Sequence, residues 1–185
     1  MFDRFQPPAA GGTIAAAAAL SVTAAAQAAQ AGPPAPVVPG PIQVPAGIKV
    51  FLVGHGVQIY SCQATPGGFG WGFVAPRANL YNDHGKLIIT HFGGPTWQAK
   101  DGSRAVGHLV DSVTVDATAI PWLLLSASTT PGPDGDRLVA TTYIQRIATT
   151  GGLAPPAVDC NAATAGTVAE VPYTADYYFW KKMGA

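Results

Sequence analysis

The chain has 185 residues, only 11% of them charged, and its ten Lys and Arg balance its ten Asp and Glu. A neutral surface lacks the basic stripe that phosphate backbones need, so the composition argues against a nucleic-acid partner. It argues equally against electrostatic docking on anionic lipid, and the length fits one domain behind an export segment.

Residues 1–31 read as a signal peptide. The short start MFDRFQPP carries Asp3 and Arg4, and the run from Gly12 to Ala31 is uncharged and mostly alanine. Ala26-Gln27-Ala28 and Ala29-Gln30-Ala31 both fit the small-x-small cleavage pattern. The run is long enough to cross a bilayer, but alanine is only mildly apolar and a Pro-rich stretch follows where a basic stop-transfer cluster would stand. The expectation is cleavage near Ala28 or Ala31, a secreted or periplasmic product, and no stable membrane anchor. Residues 32–45, GPPAPVVPGPIQVP, follow as a Pro-rich spacer. Proline lacks an N–H and fixes φ, which favours extended chain over packed structure.

From residue 46 to 185 the pattern is all-β. No window keeps an i, i+3, i+4, i+7 apolar period; short β-branched and aromatic runs alternate with Gly, Pro, Asp and Asn. The spacing predicts strands at Ile48–Val53, Val57–Gln63, Phe69–Val74, Lys86–Phe92, Trp97–Lys100, Ala105–Val115, Trp122–Ser128, Arg137–Ala148 and Tyr173–Trp180. Asp83-His84-Gly85 and Asp101-Gly102 are turn signals, and Pro131–Gly135 is a longer one. These features predict a single domain of short, mostly antiparallel strands, either a sandwich or a barrel. Alternation puts Leu87, Ile89 and His91 on one face, and Gln58, Tyr60 and Cys62 on one face. It sets Ile144 and Arg146 opposite Tyr143, Gln145 and Ile147. Cys62 and Cys160 are the only cysteines. In an exported chain such a pair predicts one structural disulfide, since neither a CxxC spacing nor an activated thiolate is visible.

Several segments together resemble one catalogued family. They are GVQIYSCQ (Gly56–Gln63), HFGGPTW (His91–Trp97) with DGS (Asp101–Ser103), IPWLLL (Ile120–Leu125), YIQRIATTGG running on to Cys160, and VPYTADYYFW (Val171–Trp180). They are similar to domain of unknown function 3455, from exported bacterial and fungal proteins. The resemblance implies secretion and one compact domain, and no activity. A dinucleotide site is not legible: Gly54-His55-Gly56 lacks the third glycine of the fingerprint and continues as strand.

The polar groups that could carry chemistry are few. Gly93-Gly94-Pro95 interrupts a strand between His91 and Trp97, with Asp101 close behind. His91 with Asp101 or Asp176 suggests a general base; Trp97 with tyrosines suggests a wall for a small neutral molecule or a saccharide. Buried histidine in a structural corner is the plainer alternative. Arg146 with Tyr173 and Asp176 is expected to form a pair that fixes the last strand or orients an anionic ligand. His55, His84, His91 and His108 show no local metal-ligand spacing, so no metal and no cofactor is expected. The absence of G-x-S-x-G, and one glutamate, Glu170, beyond the leader, argue against serine and paired-carboxylate chemistry. Three functions stay open: a binding domain with a pocket at the His91–Trp97 bend, a hydrolase or oxidoreductase using His91 with an aspartate, or a structural, surface-interaction protein with no pocket.

Overall fold

The computed structural model describes residues 35–44 and 47–181. The expected leader, residues 1–31, and the first residues of the expected spacer lie outside the described residues. Eight strands follow in order: β1 Ile48–Thr65, β2 Gly68–Tyr81, β3 Leu87–Phe92, β4 Thr96–Ala99, β5 Arg104–Val113, β6 Trp122–Thr130, β7 Thr141–Gly151 and β8 Val168–Lys181. Each pairs antiparallel with the next, and β8 closes onto β1 from Ile48↔Lys181 to Ser61↔Val168, so the sheet is a closed barrel. Closure removes both sheet edges. Between the two architectures that strand spacing allowed, the long β1–β8 ladder decides for the barrel.

The strands run longer than the sequence spacing predicts, continuing through glycine and proline. The two runs on either side of Gly54-His55-Gly56 form one 18-residue strand. Here glycine answers a close approach. A Cβ at Gly54 would sit 2.5 Å from the Tyr177 ring, and one at Gly56 2.2 Å from the Arg77 carbonyl. β2 runs on through Pro76 to Tyr81, with a register shift against β1 at Ile59/Tyr60 that leaves Val74 as the extra residue of a bulge. The predicted strand at Arg137 begins instead at Thr141. Arg137 N donates to Asp101 Oδ2 and Leu138 N to Ser103 Oγ, which holds this segment against the β4–β5 turn as a loop.

Alternation fills the interior with Leu52, Leu80, Ile89, Trp97, Leu125, Ile144, Tyr177 and Phe179, all buried. A second apolar cluster lies on the outer face, where Leu124, Ile147, Tyr178 and Trp180 surround Ile42. Ile42 comes from the Pro-rich stretch, is 0% exposed, and sits in a 3-10 turn at Gly40–Ile42. Gln145 fixes it there: its Nε2 donates to Ile42 O and its Oε1 accepts from Trp180 Nε1, each at 2.6 Å. Within residues 35–44 Ile42 is the buried residue and Val37 is 97% exposed, so the Pro-rich stretch is extended chain anchored at Ile42. Burial of one isoleucine of this kind contributes roughly 1.5–3 kcal/mol toward docking the strap.

The disulfide joins Cys62 to Cys160 across a separation of 98 residues. It ties β1 to the loop before β8, and Cys62 N and O both bond that loop, at Thr167 O and Gly166 N. Among the described residues no helix is long and apolar enough to cross a membrane.

Candidate functional site

Gly93–Pro95 turns β3 into β4, and the hairpin sets His91 opposite Trp97 in register. Both side chains face the barrel interior by the strand alternation that also turns Ile89 and Ala99 inward. The rings stack with centroids 4.1 Å apart and planes at 6°. Tyr177 and Phe179 from β8 meet Trp97 edge-on at 6.2 and 6.3 Å. Gly107 on β5 leaves the space for that ring, since a Cβ there would lie 2.8 Å from it. Trp97 is 2% exposed and His91 3% exposed. Trp97 is thus a core ring with one face covered by His91, and it presents no open platform on which a sugar could stack.

His91 Nδ1 lies 2.9 Å from Thr96 O. A carbonyl only accepts, so Nδ1 carries the proton and Nε2 keeps a lone pair. Burial pulls the imidazole pKa from 6.5 down to about 4; the Thr96 bond opposes this and the Arg146 charge adds to it. His91 is therefore neutral at physiological pH, and at about 4 it is too weak a base for efficient proton abstraction near pH 7.

Beside this pair is a cavity of about 280 Å³. Pro76, Leu123 and Leu125 give it apolar walls, and Phe73, Val74 and Leu109 lie at its solvent side, more than half exposed. Three polar side chains besides His91 line it or stand in its wall: Gln58 from β1, Trp97, and Arg146 from β7. Gln58 Nε2, Trp97 Nε1 and Arg146 Nε are all buried donors with no hydrogen-bond partner. The lining carries no carboxylate, hydroxyl or thiol side chain. Gln58 was not singled out from the sequence; its place on one face with Tyr60 and Cys62, a polar residue in a buried row, was the available signal.

Arg146 points inward with Ile144, opposite Tyr177 in the β7–β8 register. Its Nη2 donates to Pro121 O at 2.8 Å. The ion pairs among the described residues are Arg77–Glu170 and Asp83–His84, so Arg146 has no acidic partner there. Around it are buried phenols. Burial raises the Tyr177 hydroxyl well above its ordinary value and raises Tyr173 and Tyr60 too, against the pull of the Arg146 charge. Tyr173 and Tyr177 share a hydrogen bond at 2.9 Å.

The expected Arg146–Asp176 pair does not form. Asp176 stands opposite Ile147 and Val53, one residue out of phase with inward Tyr177, so it faces outside. Burial there still pushes its carboxyl up. Asp101 is not brought to His91 either. Its carboxylate accepts from Ser103 Oγ at 2.6 Å, Ser103 N at 3.0 Å and Arg137 N at 2.9 Å. The Ser103 hydroxyl bond above all holds it below the ordinary carboxylate range. It lines a separate hollow of about 400 Å³ with Asp136, Arg137 and Lys181, where Lys181 Nζ donates to Arg137 O. The sequence-level site therefore splits: His91, Trp97 and Arg146 share the cavity, Tyr173 lies behind them, and Asp101 and Asp176 belong elsewhere. Neither aspartate can orient His91 as a general base. Among the described residues no group of three or more His, Cys, Asp or Glu could hold a metal ion.

Residues 45–181 match the model of a family described as protein of unknown function, DUF3455. No curated protein and no solved structure matches the chain.

Proposed function

The chain belongs to the DUF3455 family, and from that premise we propose that its barrel is a binding module that holds one small organic molecule in the cavity beside His91 and Trp97. One observation carries the reading: three buried donors without partners stand, with His91, in the wall of one mostly apolar cavity. Buried polar groups are almost always satisfied, and a few fixed polar groups in apolar walls are what small-molecule sites consist of. Eight-stranded barrels have interiors wide enough to hold one small ligand. At about 280 Å³ the cavity falls just below the usual range of about 300–1,000 Å³ for such sites, so the molecule is small. The lining favours binding over catalysis, because it offers no hydroxyl, thiol or carboxylate and its one imidazole, His91, is held too weakly basic by burial.

Mass spectrometry of small molecules extracted from the purified, exported protein tests this. A bound molecule should accompany wild type and be lost from Leu123→Trp, which fills the cavity. Identical extracts from both would refute the reading. Export is part of the same proposal. The Cys62–Cys160 bridge supports it, because such bridges persist in oxidising compartments. Intact mass of protein recovered outside the cytoplasm should lack residues 1–28 or 1–31, and full-length chain there would count against cleavage.

A further inference from the structure

We infer that the molecule held in the barrel is a small monocarboxylate with an apolar body, its carboxylate directed at Arg146. The inference rests on the binding reading above and names the class of ligand. It departs from the small neutral molecule or saccharide expected at the His91–Trp97 bend and takes up the anionic ligand that Arg146 also suggested.

The argument is one of charge and hydrogen-bond count. A guanidinium has five donors and no acceptor, and it is never deprotonated in a protein. Arg146 gives one N–H to Pro121 O, has the Tyr177 hydroxyl as a second hydrogen-bonding neighbour, leaves Nε without a partner, and has no carboxylate beside it among the described residues. Its surroundings cannot neutralise it. The cavity lining holds no acid, and the nearby Tyr173 and Tyr177 are held protonated by burial. Arg146 is partly buried, with its Nε closed to water, and a charge drawn toward a low-dielectric interior is stabilised when an opposite charge and hydrogen bonds meet it. The other unpartnered groups in the same wall, Gln58 Nε2 and Trp97 Nε1, are donors as well. The unpartnered donors outnumber the acceptors of the same wall, His91 Nε2 and Gln58 Oε1, and a carboxylate supplies two more oxygens, suited to a guanidinium fork.

The single positive charge sets the ligand's charge at one, since a phosphate dianion would leave a negative charge buried among Leu123, Leu125 and Pro76. Those apolar walls set the rest of the molecule. A cavity of about 150 Å³ accommodates benzene, so 280 Å³ accepts one ring with a short side chain. Exposed Phe73, Val74 and Leu109 give it an apolar way in. The three donor atoms sit just behind the cavity surface, closed to water. Seating a carboxylate therefore takes small side-chain rotations, of the kind common on binding.

The test uses the exported, disulfide-bonded protein, ¹⁵N-labelled, titrated with phenylacetate, phenylacetamide and toluene, and followed by NMR at the Trp97 indole N–H and the Arg146 Nε–H. Phenylacetate should bind about tenfold or more tightly than phenylacetamide, the order expected when charge-assisted hydrogen bonds replace neutral ones. It should move both N–H signals, and Arg146→Gln should abolish the preference for acid over amide. If none of the three probes moves either signal, the cavity reading itself fails and this inference with it. If toluene binds but acid and amide bind alike, or the acid preference survives Arg146→Gln, the cavity stands and the carboxylate inference is overturned. Should Arg146→Gln fail to fold, Arg146→Lys keeps the charge without the fork. A retained acid preference there supports the inference, and its loss with the amide still bound overturns it.

Discussion

Replacing Trp97 with alanine probes whether the ring is core or platform. The side chain is 2% exposed and contacts His91 by stacking and Tyr177 and Phe179 edge-on. Truncating a buried tryptophan to alanine costs about 3–5 kcal/mol through lost transfer energy and the cavity left behind. Aromatic pairs add about 0.5–1.5 kcal/mol each beyond area, which places Trp97→Ala in the upper part of that range. For a domain of this size each kcal/mol lowers Tm by roughly 2–4 °C, so a loss of about 4–5 kcal/mol should lower the melt by roughly 8–20 °C. Trp97→Phe should be milder: Nε1 has no hydrogen-bond partner, so the change removes ring volume and no protein hydrogen bond. The assay is a urea melt of both variants beside wild type, read by far-UV circular dichroism, with the slope m expected to stay constant. A loss below about 1 kcal/mol for Trp97→Ala, the size of an ordinary surface change, would refute the packing argument and restore an exposed aromatic platform.

Other outcomes follow from the same packing. Replacing Cys62 and Cys160 with alanine together should lower stability by about 2–5 kcal/mol, and non-reducing peptide mapping should yield one Cys62–Cys160 peptide; two free thiols in folded protein would contradict the bridge. Because His91 titrates near 4 when folded and near 6.5 when unfolded, the unfolded chain binds the extra proton between those values. Stability should then fall as pH drops from 6.5 to 4, by roughly 3 kcal/mol in all from this group, and His91→Gln should flatten that part of a pH series of urea midpoints. Ile42→Ala should cost about 2–5 kcal/mol; a melt unchanged from wild type would mean residues 35–44 are not docked. Gly56→Ala drives a Cβ to 2.2 Å from the Arg77 carbonyl and should destabilise by about 1–3 kcal/mol. Gly67→Ala meets nothing within 4 Å and should be close to neutral on the same melt.

Much of this molecule is local and therefore legible along the chain. The strand-and-turn alternation, the disulfide of the only two cysteines, and the bend that sets His91 against Trp97 all depend on neighbours within a few residues or on a forced pairing. So does the facing of β7, where a period of two separates Ile144 and Arg146 from Gln145 and Ile147. What the chain order could not supply depends on partners distant in sequence. Closure into a barrel is the register of β1 on β8, two strands at opposite ends of the domain. Whether Gly54-His55-Gly56 is a turn or a strand depends on Tyr177 and Ala78 lying against it. Arg146 and Asp176 look like partners on paper, but a one-residue phase difference in that closing sheet sends one inside and the other out. The sequence by itself determined which residues are polar in apolar strands. Only the tertiary structure decided that Gln58, Trp97 and Arg146 share one cavity, because long-range strand register, unlike local periodicity, is settled by the packing of the whole barrel.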